Sequence, residues 1–418
     1  MGLLTELEYF LKPAKLTELK RIFKPAKRVN NCVVALREVV LHAREIEKTG
    51  KEVLKLNIGD PNKFDFDTPP HIRKALRDAV ENQYNFYAPA EGLPEFKEAV
   101  ARREKKINNV EIDPEKIVAT SGVSEGIIFV VSALLNPGEE ILVPGPTYSP
   151  YEAFTRYMDG IPIPYSCDEE NAWQPEIDDL RKKITEKTKA LLIINPNNPT
   201  GALYDKKTMK KMIDIAGEYN LLVLSDEIYD LIVYEEQRTS TASLSKDVPV
   251  LGLNGFSKVY LAPGWRMAYI YLHDPPDLMG EIWEGILKVA RARLSACTPL
   301  QKACVAACDG PHDFVQEMVS KLRKRRDYTT KRLNEIEGIS CVEPRGAFYA
   351  FPHIHDLKGA KTDKEFVLKI LKEKQVLFVH GSGFGKKYGK NHFRTVFLPP
   401  IEILEEAFNR LEEFMQSR

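Results

Sequence analysis

The feature that most constrains the fold of this chain is a repeated alternation of continuous apolar runs with amphipathic helical segments. Six runs have the character of buried strands: "KIVAT" (116–120), "EILVP" (140–144), "KALLIIN" (189–195), "LLVLSD" (221–226), "PVLGLN" (249–254) and "MAYIYL" (267–272). Helical patterns lie near 124–135, 149–159, 206–219 and 277–295. Strands that are apolar throughout are typical of parallel sheets covered by helices on both faces. The alternation therefore predicts an α/β fold around a mostly parallel sheet.

The remaining sequence predicts a second, smaller domain. At 418 residues the chain is too long for one simple core. Its last part mixes long charged helices with short strands, and "VLKLNIGDP" near the N-terminus precedes the large sheet. We therefore expect a smaller α+β domain made from both chain ends. The predicted division is 1–67 for an N-terminal extension, a helix and part of the small domain, 68–296 for the large domain, and 297–418 for the small C-terminal domain; the role of residues 1–25 stays open.

Charge and hydropathy exclude several classes of partner. Lys and Arg together number 60, as do Asp and Glu, so no excess charge favours nucleic acid or an anionic membrane. No apolar run approaches the roughly 18 residues of a membrane span. The N-terminal stretch carries charges throughout, unlike a signal peptide, which leads us to expect a cytoplasmic protein.

Cysteine and histidine usage predicts no metal site. The six cysteines are scattered, and we interpret them as buried thiols in a reducing compartment. Cys304 and Cys308 have helical spacing, but no second Cys or His pair lies near them. Four histidines show no metal-ligand spacing: His71, His353, His355 and His392.

Ligands of such sheets bind beyond the carboxyl ends of the strands, so the residues that follow each strand are candidate site residues. After "KIVAT" comes "SGVSEG", where Gly122 permits a tight turn and Ser124 can cap a helix. The N–H groups of such a helix start can hold a phosphate, although an ordinary helix cap explains the segment equally well. Tyr148 follows "EILVP" and could stack on a flat ring, or simply pack in its loop.

The next two strands end in amides and a carboxylate. "NPNNPTG" follows one strand and offers Asn198 as a neutral donor, although Asn-Pro repeats are also turn chemistry. Asp226 directly follows the apolar run "LLVLS", with Tyr229 three residues later. A carboxylate at the end of a buried strand is costly unless something compensates it, and a cationic ring nitrogen would do so. The alternative is an Asp that caps a helix.

The stretch "GFSKVYLAPGWR" after "PVLGLN" completes the set. Burial of Lys258 at that depth removes hydration, which favours the free, nucleophilic amine. Ser257 adds a hydroxyl that can bind an anion, and Arg266 adds a permanent, forked cation. Together with Asp226, these groups suit a planar heterocycle with a protonatable nitrogen, an aldehyde and a phosphate, which is pyridoxal 5′-phosphate (PLP).

The ordered motifs resemble those of the fold-type I aminotransferases of class I and II. They are "YAPAEGLPEF", "SGVSEG", "NPNNPTG", "SDEIY", "SK" with "GWR" eight positions later, and "FRTVF". The resemblance covers nearly everything from about residue 30 to the C-terminus. Several stretches are most like those of archaeal alanine aminotransferases. The resemblance implies a large domain with a mostly parallel seven-stranded sheet, a PLP cofactor and a homodimer with shared active sites.

The resemblance also assigns catalytic roles. Lys258 would bond to the cofactor aldehyde and carry the proton between substrate and cofactor. Asp226 would keep the ring nitrogen protonated, Asn198 and Tyr229 would hydrogen-bond the ring hydroxyl, and Tyr148 would stack on the ring.

Further positions would bind phosphate and substrate. The phosphate group would be held by Gly122, Val123, Ser124, Ser257 and Arg266, and by Tyr87 of the neighbouring subunit. Arg394, in "FRTVF", would grip the substrate α-carboxylate, helped by Asn198 and the backbone at Gly59. We expect ping-pong transfer of an amino group from an L-amino acid, best alanine, to a 2-oxo acid, best 2-oxoglutarate.

Three alternatives stay open at this point. The first is an aspartate or aromatic aminotransferase, the second a PLP-dependent β-lyase, and the third, a remote one, a PLP-binding regulator without catalysis. Arg291 and Arg293 are candidates for reading a distal carboxylate, or are two solvated arginines at a helix end.

Overall fold

The computed structural model of the protein describes residues 24–32, 35–235 and 238–417. The thirteen α-helices of these residues are α1 Ala35–Glu47, α2 Pro70–Glu81, α3 Pro94–Arg103, α4 Val123–Leu134, α5 Ser149–Tyr157, α6 Ile177–Lys182, α7 Lys206–Glu218, α8 Thr241–Leu244, α9 Gly280–Arg293, α10 Thr298–Asp309, α11 Asp313–Glu335, α12 Asp363–Lys374 and α13 Ile401–Gln416. The strands are β1 Leu54–Lys55, β2 Ile117–Thr120, β3 Glu140–Gly145, β4 Ile161–Asp168, β5 Gln174–Pro175, β6 Thr188–Ile194, β7 Leu222–Asp226, β8 Val250–Gly255, β9 Ala268–His273, β10 Ile339–Ser340, β11 Tyr349–Ala350, β12 His353–Ile354, β13 Val376–Leu377, β14 Val379–His380 and β15 Phe393–Val396.

The large sheet has the strand order β2-β9-β8-β7-β6-β3-β4-β5. Neighbours from β8 to β4 are parallel, whereas β9 is antiparallel to both of its neighbours and β5 is antiparallel to β4. The predicted α/β fold with a mostly parallel sheet is confirmed. The strand number differs, since the sheet has eight strands rather than seven; the short β5 forms a hairpin with β4 at the sheet edge.

Both faces of this sheet are buried because its central strands are apolar throughout. Along β6, Leu191 and Ile193 belong to one cluster of buried side chains, and Leu192 and Ile194 belong to the cluster on the opposite face. Successive side chains of a strand point to opposite faces, so an uninterrupted apolar run needs a cover on each side. Helix α7 contributes to one cover, and helices α4, α5 and α9 contribute to the other.

Smaller sheets lie in the C-terminal part of the chain. Strand β15 pairs with β11 and β14, and β10 pairs with β12. Strand β1 pairs in parallel with β13, so residues from both ends of the chain meet. Helix α10 packs against α2 and α3.

Two further expectations concern membranes and thiols. Among the helices of the described residues, none combines the length and apolar character that crossing a membrane requires. Four cysteines are buried as expected: Cys167, Cys304, Cys308 and Cys341. Cys32 and Cys297 are exposed, so the interpretation of all six as buried thiols is wrong for these two, which lie beside a helix end rather than inside an apolar run.

Candidate active site

A cavity of about 330 Å³ lies at the carboxyl ends of the central parallel strands. Eleven of the predicted site residues line it: Gly59, Val123, Ser124, Tyr148, Asn198, Asp226, Tyr229, Ser257, Lys258, Arg266 and Arg394. The volume is in the range that binds small ligands. The fold thus gathers groups from seven separate chain segments around one space.

Strand register explains this gathering. Asp226, the last residue of β7, pairs with Ile194 at the end of β6 and with Leu253 in β8. Because these strands are parallel, the loops that follow them leave the sheet at one edge. Those loops carry Asn198 and Lys258.

Asp226 is buried and only partly compensated. The Tyr151 hydroxyl donates to its Oδ2 at 2.8 Å, and the backbone N–H of Ile228 donates to its Oδ1 at 3.2 Å. Burial raises the pKa of Asp226 to about 6, more than these hydrogen bonds lower it. A cation in the cavity, such as a protonated ring nitrogen, would stabilise the carboxylate.

The Lys258 amine lies next to the backbone of Gly59, and both residues line the cavity. Its Nζ donates to the Gly59 carbonyl at 2.6 Å. A Cβ on Gly59 would lie 2.1 Å from the Tyr349 hydroxyl, so a larger residue at position 59 would clash with that tyrosine. The primary amine is therefore held at the cavity wall by a neutral acceptor rather than by a carboxylate.

The start of α4 forms an anion cradle. Gly122 has a φ of 82° and turns the chain into the helix, and a Cβ there would lie 2.2 Å from Nη2 of Arg266. The guanidinium therefore rests directly against the glycine, beside helical N–H groups that lack intrahelical acceptors. Ser124 does not cap the helix as predicted, because Gly122 occupies the cap position and leaves the serine in the first turn.

Arg394 is a buried cation that lacks an anionic partner. Its Nη1 donates to Asn198 Oδ1 at 2.8 Å and its Nη2 to the Asn57 carbonyl at 2.7 Å, while its Nε has no hydrogen-bond acceptor. Among the residues described, no carboxylate forms an ion pair with it. Burial lowers the pKa of the Arg394 guanidinium, so an incoming carboxylate would relieve an unfavourable state.

Two tyrosines that the sequence did not single out complete the wall. The hydroxyls of Tyr349 and Tyr229 are 2.9 Å apart, and the guanidinium of Arg394 lies 4.4 Å from the centroid of the Tyr349 ring. Tyr151 binds Asp226 from α5. Tyr349 lies in the apolar stretch "GAFYAF", which gives no polar signal, whereas Tyr151 could have been found as the aromatic one helical turn after Tyr148.

The model of the family "Aminotransferase class I and II" matches residues 51–411. The chain is 36% identical over 401 residues to the glutamate-pyruvate aminotransferase of Escherichia coli, covering 94% of this chain and 98% of that protein. It is 37% identical over 376 residues to an aspartate aminotransferase of Pyrococcus abyssi, covering 88% and 93%. The solved alanine aminotransferase of Pyrococcus furiosus is 53% identical and superposes with a TM-score of 0.93, covering 94% of this chain and 100% of that structure.

This chain belongs to the class I and II aminotransferases. The resemblance seen in the motifs is confirmed. The alternative of a PLP-binding regulator without catalysis is excluded, because the family and the relatives named above are enzymes. Aminotransferases of this family use PLP. The donor set fits that group, since the cavity offers a primary amine at Lys258, an uncompensated carboxylate at Asp226 and the anion cradle at Gly122 and Arg266.

Several predicted residues lie outside the cavity of this aminotransferase. Tyr87 exposes 81% of its surface, so its predicted contact with a neighbouring subunit stays a prediction. Arg291 pairs with Glu91 and Glu284. Arg293 pairs with Glu125 and donates to two backbone carbonyls, so neither arginine reaches the cavity in this chain.

The prediction of no metal site stays a prediction, although two of the four histidines lie close together in the folded chain. The structure brings His353 and His392 together with Glu169, with one ligand atom from each within 4.8 Å of the others. Their spacing in sequence gave no signal because an antiparallel backbone bridge, formed only in the folded chain, aligns the two histidines.

Replacing Gly122 with Ala tests the anion cradle, and Gly138→Ala is a matched control. Both glycines have a left-handed φ, 82° and 84°, but a Cβ on Gly138 would meet nothing within 4 Å. Both variants should lose about 1–2 kcal/mol of stability through backbone strain. Only Gly122→Ala should displace Arg266, which we expect to weaken PLP affinity roughly 10- to 100-fold, the worth of a hydrogen bond to a charged group. Equal PLP affinity of the two variants, measured by equilibrium dialysis, would contradict the cradle.

Asp226 predicts a pH dependence of the cofactor-free protein. Its pKa of about 6 exceeds the ordinary 3.8, so the folded state holds an extra proton between these values. Its contribution to stability is complete below 3.8 and is lost as the pH rises through about 6. The difference between 3.8 and about 6 corresponds to about 3 kcal/mol.

The measurement is denaturant unfolding of wild type and Asp226→Asn, both without cofactor, across this pH window. Because the amide does not titrate, the stability of wild type relative to the variant should fall as the pH rises. A pH-independent difference would show that burial does not perturb this carboxyl group.

Proposed function

We propose that this protein is a PLP-dependent aminotransferase that moves an amino group between L-alanine and 2-oxoglutarate by a ping-pong mechanism. One observation carries the proposal: a primary amine, a buried carboxylate and a buried guanidinium that forms no ion pair among the described residues line the same cavity. The names of the relatives support alanine as the substrate, since two of the three reported are an alanine and a glutamate-pyruvate aminotransferase.

The residues of the chain would divide the work as follows. Bound PLP supplies an electron sink that stabilises negative charge at the substrate Cα. The buried Asp226 carboxylate keeps the ring nitrogen protonated, and Tyr151 orients that carboxylate. The Lys258 amine, held beside Gly59, would take the proton from the Cα of the amino donor, pass it to the cofactor, and in the second half-reaction deliver a proton to the Cα of the new amino acid.

Substrate orientation would fall to Arg394. Its guanidinium is fixed between Asn198 and the Asn57 carbonyl and packs on the ring of Tyr349. A planar fork that is already held in place binds a carboxylate with two parallel hydrogen bonds at little entropic cost. Such binding would place the amino group of an α-amino acid towards Lys258.

We further propose that Tyr229 and Asn198 bind the hydroxyl of the PLP ring and that Tyr148 stacks on that ring.

Assembly and location are part of the proposal. An aromatic ring as exposed as that of Tyr87 is available to a second copy of the chain, which supports a homodimer that shares its active sites. We also propose the cytoplasmic location and the division into 1–67, 68–296 and 297–418.

Aspartate is the second candidate amino donor, because an aspartate aminotransferase is among the relatives. Arg291 and Arg293 are both engaged within this chain, so neither is available here to read a distal carboxylate. The aromatic aminotransferase alternative is supported by a solved relative from Pyrococcus horikoshii that is 34% identical to this chain. The β-lyase alternative has no comparable observation in its favour.

The decisive measurement is a steady-state panel of amino donors with 2-oxoglutarate as acceptor. We expect alanine to give the highest kcat/KM, and parallel initial-rate lines to report the ping-pong mechanism.

Lys258→Ala should abolish turnover and the absorbance of the covalent link between lysine and cofactor. Lys97→Ala, which removes a buried lysine paired with Glu115 outside the cavity, should keep both. Strong aspartate or aromatic activity with little alanine activity would refute the alanine assignment, and pyruvate release without any acceptor would indicate a lyase.

Arg394→Lys tests the carboxylate-binding role separately. Lysine keeps the charge but loses the fork, so kcat/KM for every amino acid should fall roughly 100-fold, within the 2–5 kcal/mol cost of disrupting a buried charged pair. Arg291→Lys, a surface change of the same kind, should leave kcat/KM unaltered. An Arg394→Lys enzyme that binds PLP normally and retains wild-type kcat/KM would exclude this role.

A further inference from the structure

A second constellation lies outside the cavity, where Glu169 meets two histidines. Glu169 follows β4 directly, His353 begins β12, and His392 precedes β15. Oε2 of Glu169 lies 3.0 Å from Nε2 of His392 and 3.8 Å from Nδ1 of His353. One ligand atom from each residue lies within 4.8 Å of the other two.

The two imidazole rings lie side by side, and the ring of His392 is held in place by backbone and packing. An antiparallel backbone bridge sets His353 opposite His392. The His392 ring stacks on His353 on one side, at 4.6 Å and 11°, and on Phe351, at 4.9 Å and 7°. Trp173 contacts the His392 ring at 5.5 Å with its edge. This packing fixes the His392 ring, whereas the parallel ring of His353, which exposes 32% of its side chain, has to turn before one ion can lie in the planes of both rings.

The hydrogen bonds of His392 call for a positive charge at this point. Its Nδ1 lies 2.8 Å from the Lys390 carbonyl, which can only accept, so Nδ1 carries a proton. In the neutral ring Nε2 then presents a lone pair to the Glu169 carboxylate oxygen at 3.0 Å. Two acceptors at that distance require either a second proton or a metal ion between them. A backbone carbonyl on the far nitrogen is also the usual orienting partner of a metal-bound histidine.

We propose that Glu169, His353 and His392 bind a divalent transition-metal ion of the zinc class. Two imidazoles and one carboxylate match the ligand preferences of zinc, whereas magnesium and calcium prefer oxygen ligands throughout. His392 is buried, but the side chains of Glu169 and His353 expose 26% and 32% of their surface, which leaves the outer side open to a water ligand. His355 is not part of this ligand set, because its Nε2 pairs with Ser340.

The ion would join two parts of the fold. Glu169 belongs to the hairpin between β4 and β5 at the edge of the eight-stranded sheet, whereas the histidines belong to the small C-terminal strands. His392 also lies two residues before Arg394 of the proposed active site. A metal here would therefore fix the strand that carries Arg394 against the large sheet, and its binding free energy would add to stability.

The test is zinc binding by the full-length holoenzyme after chelator treatment, measured by competition with a chromogenic zinc indicator. We expect one zinc ion per chain, no displacement of zinc by excess magnesium, and a visible d–d spectrum with cobalt(II). Glu169→Gln should lower zinc affinity at least about 100-fold, beyond the loss typical of an outer-shell partner. The Gln amide can still donate to Nε2 of His392, so this variant keeps the packing contact.

His355→Ala is the matched control, since its ring lies 4.5 Å from that of His353 but outside the ligand set. It should bind zinc like wild type, and zinc should raise the thermal midpoint of wild type and His355→Ala but not of Glu169→Gln. The proposal is overturned if wild type binds no zinc, or if Glu169→Gln and His392→Gln bind it with wild-type affinity. The first outcome would mean that a hydrogen bond between His392 and Glu169, without a metal ion, accounts for their contact.

Discussion

The parallel register of β6, β7 and β8 is the constraint on which the site depends. It places Asp226 beside Ile194 and Leu253, so the loops that carry Asn198 and Lys258 leave the sheet at one edge. The sheet holds this register because it is apolar on both faces, and a slip by one residue would exchange the side chains between two covered faces. The geometry around the cavity therefore derives from the packing of the central strands.

Buried charge is handled in two different ways in this protein. Arg103, almost fully buried, pairs with Glu104 and Asp230, both at 2.6 Å, so its charge is compensated within the fold. Asp226 and Arg394 are equally buried, yet neither forms an ion pair among the described residues, and Nε of Arg394 has no hydrogen-bond acceptor. Buried charges without a partner reduce the stability of the fold. That two of them line the same cavity indicates that this cavity is built to bind a ligand at a cost in stability.

Helix starts and strand ends of the large sheet could largely be predicted from sequence, because apolar runs and turn residues are local signals. Strand β4 was missed, because Pro162 and Pro164 interrupt the pattern of "IPIPYSCD". Prolines can occupy this strand because β4 pairs along its length only with β3, and β5 reaches only Cys167 and Asp168. Tyr349 was not predicted as a site residue, because an aromatic residue within an apolar run is typical of the hydrophobic core.

The sequence by itself determined the α/β class, the motif set of an aminotransferase and eleven of the eighteen residues that line the cavity, because each of these lies next to a strand end or in a recognisable motif. Only the tertiary structure decided which charges stay unpaired. The isolation of Arg394 and the engagement of Arg291 and Arg293 depend on neighbours distant in sequence. The meeting of Glu169 with His353 and His392 has the same origin, since it requires a hairpin of the large sheet to pack on a backbone bridge of the small strands. Pairing across such separations follows from packing, which no local pattern encodes.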